Sequence, residues 1–294
     1  MFNSSSLSRR RALQALSAMA AAGSPLGLMA ATPAPRLITV GGGITEVVYA
    51  LGAQDQLVGT DTTSLYPAAA QATPKVGYMR QLSAEGLLAL RPDALIAGTD
   101  AGPPVVIDQL RSAGVRVELV ASDHTWDEVR RKIAAVGRAS NREAAARELQ
   151  ARLDARWQAV SARVQAAKGP GPKILFVLSH SGSPQVSGEK TAADALIRFI
   201  GARNALGGFQ GYRPMTAEAM AQAAPDLILT TTQGIEAIGG EAKFWQRPEL
   251  ALTPAFQRRA SGKTLVHLDA LELLGFGPRL PEVVERLHDQ VVKT

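Results

Sequence analysis

The chain contains no cysteine. That excludes disulfides, thiolate metal sites and cysteine nucleophiles, and it removes the lipid-modified cysteine by which an exported protein can be tethered to a membrane. Aromatic residues are scarce at 5%, with only four tyrosines, so a tyrosine in a loop stands out. The four histidines are scattered without close pairing, which argues against a zinc-type metal-binding protein. Beyond the N-terminal segment no stretch approaches the roughly 20 consecutive apolar residues of a membrane span. The formal charge is +6, but three of those charges are Arg9, Arg10 and Arg11, so a chain beginning near residue 35 carries +6 − 3, about +3. So small and evenly spread a charge does not point to nucleic acid. There is no GxxxxGK(S/T) phosphate loop and no GxSxG nucleophile elbow. Gly41-Gly42-Gly43-Ile44-Thr45-Glu46 follows a strand and opens a helix, yet it lacks the third glycine of a dinucleotide fingerprint. Glu46 would also repel a pyrophosphate at the helix start. Nothing supplies a convincing acid–base pair or nucleophile, so a binding protein is expected in place of an enzyme.

What is present is an ordinary globular composition, 46% apolar and 20% charged, over 294 residues, long enough for two domains. Residues 1–34 read as a leader. Ser8-Arg9-Arg10-Arg11-Ala12-Leu13 resembles a twin-arginine export signal and precedes an Ala- and Gly-rich stretch ending in TPAP. The competing reading is an amphipathic helix, which Gly23, Pro25 and Gly27 would cost several kcal/mol by rough propensity. Cleavage is expected between Ala30 and Ala34. An exported chain without an anchor belongs in a bacterial periplasm.

After the leader, strand and helix signals alternate. RLITV, QLVGTD, DALIAGT and VRVELV read as strands, separated by helical runs such as ITEVVYALGA and PPVVIDQLRSAG. Residues 141–168 hold neither Gly nor Pro and are dense in Ala, Arg, Glu and Leu, which predicts one long helix of roughly 40 Å. KGPGP stops it, and alternation resumes with KILFVLS, APDLILTTT and KTLVHLDAL as strands, TAADALIRFIG as a helix and PRLPEVVERLHDQVVK as a terminal helix. The expected organisation is an N-terminal α/β lobe over 35–139, a linking helix over 140–169 and a C-terminal α/β lobe over 170–294. Each lobe is Rossmann-like with a parallel sheet, and a ligand cleft lies between them. A single stiff helix between lobes limits opening to small angles.

One sentence is written twice. GYMRQLSAEGLLALRPD begins at Gly77 and GYRPMTAEAMAQAAPD at Gly211, in matching places of the two lobes. Glu85 and Glu218 fall in corresponding first turns. Each alone is a helix-start acid beside a Ser83 or Thr216 cap; as a symmetric pair they also suit arginines on a symmetric partner. Tyr78 offers a hard oxygen donor of a kind known to hold haem iron. Arg80, two residues on, suits it, since a nearby opposite charge favours an ionised oxygen. The alternative is a ring packed on the cleft wall with one hydroxyl hydrogen bond. His180 closes the strand KILFVLSH at a strand end facing the cleft, where such sheets bind ligands, or is simply structural. Tyr212 and Arg213 mirror the first motif with the arginine adjacent. His124 sits where a helix cap is expected, and His267 and His288 read as structural.

VGYMRQLSAEGLLALRPD, with the preceding LGAQDQLVGTDTTSLYPAAA and with TAADALI and LLGFGPRLPE in the second lobe, resembles the periplasmic haem-binding proteins of bacterial haem-uptake ABC transporters. The resemblance covers nearly the whole chain after the leader. It implies a class III periplasmic binding protein fold and haem b as the transported ligand, one or two molecules. It assigns Tyr78 as iron ligand with Arg80 in support, His180 as candidate second axial ligand, and Tyr212 and Arg213 as haem contacts. Glu85 and Glu218 then dock on an inner-membrane ABC permease served by its ATPase. A monomer is expected, neither embedded in the membrane nor bound to nucleic acid. Sister proteins for siderophores or cobalamin share the lobes, the helix and the glutamate pair, but do not need Tyr78-x-Arg80. The segment GEAKFWQRPELALTPA departs from the family, and Phe244, Trp245 and Arg247 there add to the haem-facing wall or pack the surface.

Overall fold

Short, uninterrupted apolar runs form the strands, as expected where both faces of a sheet are covered by helices. A computed structural model describes residues 33–179 and 184–291. The leader and His180 lie outside the described residues. The first half runs β1 (Leu37–Val40), α1 (Gly42–Ala50), β2 (Leu57–Thr60), α2 (Ala84–Ala89), β3 (Ala94–Gly98), α3 (Pro104–Ser112), β4 (Arg116–Val120) and α4 (Trp126–Ala139). All residues of β1 and β3 are buried. The four strands form one parallel sheet in the order β2-β1-β3-β4.

Then comes α5 (Glu143–Ala166), 24 residues and about 36 Å long at 1.5 Å per residue. The second half contains β5 (Lys173–Leu178), β6 (Gln185–Ser187), α6 (Ala192–Phe199), β7 (Arg203–Asn204), β8 (Tyr212–Pro214), α7 (Ala217–Ala223) and β9 (Leu227–Thr231). It continues with α8 (Thr232–Ala237), α9 (Glu241–Trp245), α10 (Pro254–Gln257), β10 (Leu265–Leu268), α11 (Ala270–Leu274) and α12 (Leu280–Val291). Its sheet has the order β10-β9-β5-β6-β8, with β7 beside the start of β5. Strands β10, β9 and β5 are parallel, whereas β6 pairs antiparallel with both β5 and β8. The expected wholly parallel second sheet is thus mixed. Strands of three residues are too short to carry a readable alternation, so β6 and β8 read as loop in the sequence.

One buried cluster spans both halves, beside a second confined to the second half and a third confined to the first. The spanning cluster joins Leu37, Ile44 and Val136 of the first half to Leu149 and Val160 of α5, and to Phe176, Leu196, Leu273 and Leu287 of the second. An aromatic column runs through it from the long helix. Trp126 and Trp157 stack with centroids 4.9 Å apart, Trp157 meets Phe199 edge-on at 4.9 Å, and Phe199 leads through Phe276 to His124. Along its outer side α5 is tied to α12 by Arg156 with Glu282 and Glu285, and by Arg163 with Glu285 and Asp289. These pairs are surface-exposed, so their individual contributions are small.

The glycine run that failed as a dinucleotide motif has a packing role. A Cβ on Gly43 would sit 2.2 Å from the carbonyl oxygen of Gly275, so α1 can press its backbone on the loop between α11 and α12 only with glycine there. Two side chains, one buried and one half-buried, fasten the same loop. Lys132 on α4 donates to the carbonyls of Gly275 and Phe276, both at 3.0 Å, and pairs with Glu128 at 2.6 Å. Arg279 makes two bonds to Glu46 on α1, at 2.7 and 2.9 Å, while lying 3.7 Å over the ring of Tyr66.

Candidate functional site

A cleft of about 750 Å³ lies between the halves, lined by both. That volume is within the range of roughly 300–1,000 Å³ typical of small-molecule and cofactor sites. Its position follows from topology. In the first sheet the chain reverses direction of winding between β1 and β3, and the ends of those strands, Val40 and Gly98, line the cleft. From the second half come the ends of β5 and β9, at Ser179 and Thr231.

Tyr78 projects from the loop between β2 and α2. Gly77 precedes it at φ +98°, a conformation that favours glycine, and its carbonyl accepts the Thr62 amide at 3.0 Å. Beyond the tyrosine, the Met79 carbonyl accepts the Gly102 amide and the Leu82 amide donates to the Gly102 carbonyl, both at 2.9 Å. The loop is therefore sewn to the end of β2 on one side and to the β3–α3 connection on the other. Lys75 reinforces it by donating to the Thr60 hydroxyl and to the carbonyls of Ser64 and Ala70; burial holds its ammonium below the usual lysine range.

The tyrosine itself stays 40% exposed, open to the cleft. Arg80 donates to its phenolic oxygen at 2.6 Å and to Asp100 Oδ2 at 2.8 Å, and Ser122 donates to Asp100 Oδ1 at 2.9 Å. Asp100 and Ser122 are cleft residues that sequence reasoning missed. Both lie just beyond strand ends, in AGTD and VASD, and that placement was the available signal. The row Ser122–Asp100–Arg80–Tyr78 fixes one guanidinium against one aromatic oxygen at the mouth of an apolar hollow that includes Ile44, Leu65, Met79, Leu178, Leu271 and Leu274.

Tyr212 lines the cleft from the other half. Burial pushes its phenol up, against the opposing influence of Thr191 and of Arg80 across the cleft, so its hydroxyl stays protonated at neutral pH. Arg213 is not among the cleft-lining residues. In β8, Tyr212 pairs with Ser187 and Arg213 with Val186, and successive side chains of a strand point to opposite faces. The Arg213 guanidinium stacks instead over Phe209, 4.3 Å from the ring centroid.

His124 lines the cleft and its amide donates to Glu128 Oε2 at 2.6 Å, one residue before the Thr125 cap of α4. His267 bridges Thr232 and Glu241, and buried His288 meets the Ile200 carbonyl at 2.8 Å, so both are held by protein partners. The segment that departed from the family lies away from the cleft. Phe244 is fully buried in the second half, while Trp245 and Arg247 border a separate surface hollow with Phe256 and Arg259.

Glu85 and Glu218 occupy equivalent places. Ser83 caps α2 and Thr216 caps α7, each glutamate is in the first turn, and both are exposed. Neither has an ion-pair partner among the described residues.

A family model described as periplasmic binding protein matches residues 37–260. The chain belongs to that family. Among solved structures the binding protein is similar to the periplasmic heme-binding protein BhuT in complex with two hemes, with 46% identity, a TM-score of 0.82, and coverage of 88% of this chain and 98% of that one. The family resemblance and the fold expected from the sequence are thereby borne out. Of the curated relatives, the uncharacterized ABC transporter substrate-binding lipoprotein YvrC of Bacillus subtilis (strain 168) is 28% identical over 84% of this chain and 76% of its own length. A cobalamin-binding protein of Halobacterium salinarum (strain ATCC 29341 / DSM 671 / R1) is 26% identical over 66% of this chain, which spans about half that relative, 53%. Among the described residues of the binding protein, no helix is long and apolar enough to cross a membrane.

Proposed function

We propose that this binding protein captures haem b in the periplasm, holds its iron on Tyr78, and passes it to an inner-membrane ABC permease served by an ATPase. The observation that carries the reading is the Tyr78 oxygen, open to the cleft and 2.6 Å from a guanidinium that Asp100 holds in place. An oxygen so placed is stabilised as an anion when it meets ferric iron. The surrounding apolar surface suits the porphyrin faces, and their burial supplies much of the affinity. The protein acts as a monomer, without covalent chemistry. It takes one haem or two; with two, His180 supplies the second axial ligand. The similarity to BhuT supports the haem reading over its siderophore- and cobalamin-binding sisters.

Titration of the purified protein with ferric haem, followed by absorbance beside a parallel titration with cobalamin, tests this directly. Saturation by haem alone is expected, and the endpoint counts the molecules bound. Saturation by cobalamin with no response to haem would assign the cleft to the sister class.

Delivery follows from the paired glutamates, which extend exposed carboxylates from both halves with no ion-pair partner among the described residues. Two arginines on the permease suit them as charge-assisted partners. Glu85→Arg combined with Glu218→Arg is expected to cut haem uptake through the cognate permease by about tenfold or more, since two like-charge contacts replace two attractive ones. Haem titration of the same variant should be unchanged. Undiminished uptake would remove the docking role.

A further inference from the structure

Among the described cleft-lining residues, fixed positive charge is paired within the protein except at one position. It is carried there by Arg80, Lys132 and Lys190. Arg80 is bridged to Asp100 at 2.8 Å and Lys132 to Glu128 at 2.6 Å. Lys190 has no carboxylate on its ammonium among the described residues. The acids near it in sequence are engaged elsewhere. Glu189 accepts the Gly208 amide at 3.0 Å. Asp194 accepts the main-chain amide of Lys190 at 3.2 Å and the Asn204 side chain at 3.1 Å, and it pairs with Arg198 at 3.1 Å. Residues 180–183, His-Ser-Gly-Ser, contribute no acid. One positive charge therefore faces the cleft uncompensated.

Another cleft-lining residue of the second half needs a partner. Ser179, at the end of β5, is only 5% exposed, and its hydroxyl has no hydrogen-bond partner among the described residues while the residue lines the cleft. A buried hydroxyl is ordinarily paired, so this one is available to a ligand.

The backbone also holds Lys190 in a conformation that lysine does not favour, at φ +57°. His124, in the matching place of the other half, has φ +56°. Each immediately precedes a threonine cap, Thr125 or Thr191, and each donates its amide to the acid four residues on. Strain of this kind concentrates where a side chain must be presented to a ligand.

We propose that Lys190, with Ser179, forms an anion subsite that receives a carboxylate at the edge of the bound ligand. The proposal rests on the haem reading, in which the porphyrin carries two carboxylates on one edge. Arg80 already donates to Tyr78 and Asp100, whereas Lys190 brings a charge with no carboxylate partner among the described residues.

The test compares ferric protoporphyrin IX with its dimethyl ester, in which both carboxylates are masked, on the unsubstituted protein and on Lys190→Met, Lys190→Arg and Lys190→Gly. Lys190→Met is expected to weaken binding of the free acid about tenfold or more, the usual scale for a hydrogen bond between charged groups. Its affinity for the diester should match that of the unsubstituted protein, and Lys190→Arg should retain most of the free-acid affinity. Lys190→Gly should lose the same affinity yet melt at or above the unsubstituted protein, because glycine relieves the positive φ. Ser179→Ala should produce a smaller loss confined to the free acid. Free-acid affinity undiminished in Lys190→Met, or an equal loss for the diester, would overturn the subsite while leaving haem binding intact. Failure of the unsubstituted protein to bind either porphyrin would overturn the haem reading and the subsite with it.

Discussion

Tyr78→Phe is expected to lower ferric haem affinity by more than about a hundredfold, because it removes the oxygen proposed to hold the iron while loss of a supporting partner alone typically costs about 10–100-fold. The substitution keeps the ring and its packing, so only the oxygen is lost. The loop that carries it is fastened through Gly77, Met79 and Leu82 main-chain bonds that do not involve the phenol, so the apo structure should be unaffected. Arg80→Ala should fall in the lower range, about 10–100-fold, since it leaves the oxygen in place without its guanidinium. Asp100→Asn should be milder again, because Arg80 keeps its bond to Tyr78 when the anchor behind it loses charge. The absorbance bands of ferric iron on tyrosinate should vanish in Tyr78→Phe and persist, shifted, in Arg80→Ala. An unchanged spectrum in Tyr78→Phe would place the iron on another residue.

Arg279→Ala is the substitution expected to harm folding most, by about 3 kcal/mol, the low end for stranding a buried charge, because Glu46 is buried and Arg279 half-buried. Its partner Glu46 has a side chain only 4% exposed, and burial raises its carboxyl above the usual range despite the opposing pull of Arg279 and Lys132. Without Arg279 that carboxylate loses both its bonds and much of its compensating charge. Glu46→Gln should cost far less: it removes the buried charge, and Arg279 keeps Glu272 at 3.2 Å and its seat on Tyr66. At roughly 2–4 °C per kcal/mol for a unit of this size, Arg279→Ala should lower the melting temperature by about 10 °C.

The pH dependence has a definite sign. A carboxyl whose folded-state pKa is raised contributes stability that is fully present below its unfolded value and lost as pH rises through the folded one. The deficit of Arg279→Ala relative to the unsubstituted protein should therefore shrink as the solution is acidified from neutral toward the ordinary carboxylate range. Thermal melts of the two single variants at neutral and mildly acidic pH check both statements. Equal losses in Arg279→Ala and Glu46→Gln would mean that the pair stabilises as a unit, with desolvation playing no part.

Much of the architecture was readable because it is written in local pattern. Apolar runs bounded by glycine and proline gave β1, β3, β5 and β9, and the stretch without either residue gave α5. The repeated Gly-Tyr sentence led to the capped helices with their exposed glutamates and to the Tyr78–Arg80 contact, whose members are two residues apart. What pattern could not supply was the identity of distant partners. Glu46 and Arg279 are 233 residues apart and Lys132 and Phe276 are 144 apart, and neither member of either pair has a neighbour in sequence that names the other. The same limit hid Asp100 and Ser122 behind Arg80, and left Gly43 looking like a failed nucleotide motif when its role is to let α1 touch the Gly275 carbonyl. Lys190 was invisible for a related reason. Its distinction is that no carboxylate among the described residues meets its ammonium, and no local pattern announces that.

The buried cluster that runs from β1 through α5 to α12, beside the separate cluster each half keeps for itself, bears on how proteins of this kind acquire new ligands. Lobes with independent interiors can be traded between relatives as modules. Here a chimera that took its first sheet from one parent and its second from another would keep the cluster private to each half but would have to reconcile the cluster that crosses between them, along with the glycine contact at Gly43. Change in specificity is thereby channelled into the few residues at the strand ends and cap turns, which can vary without disturbing what lies beneath them.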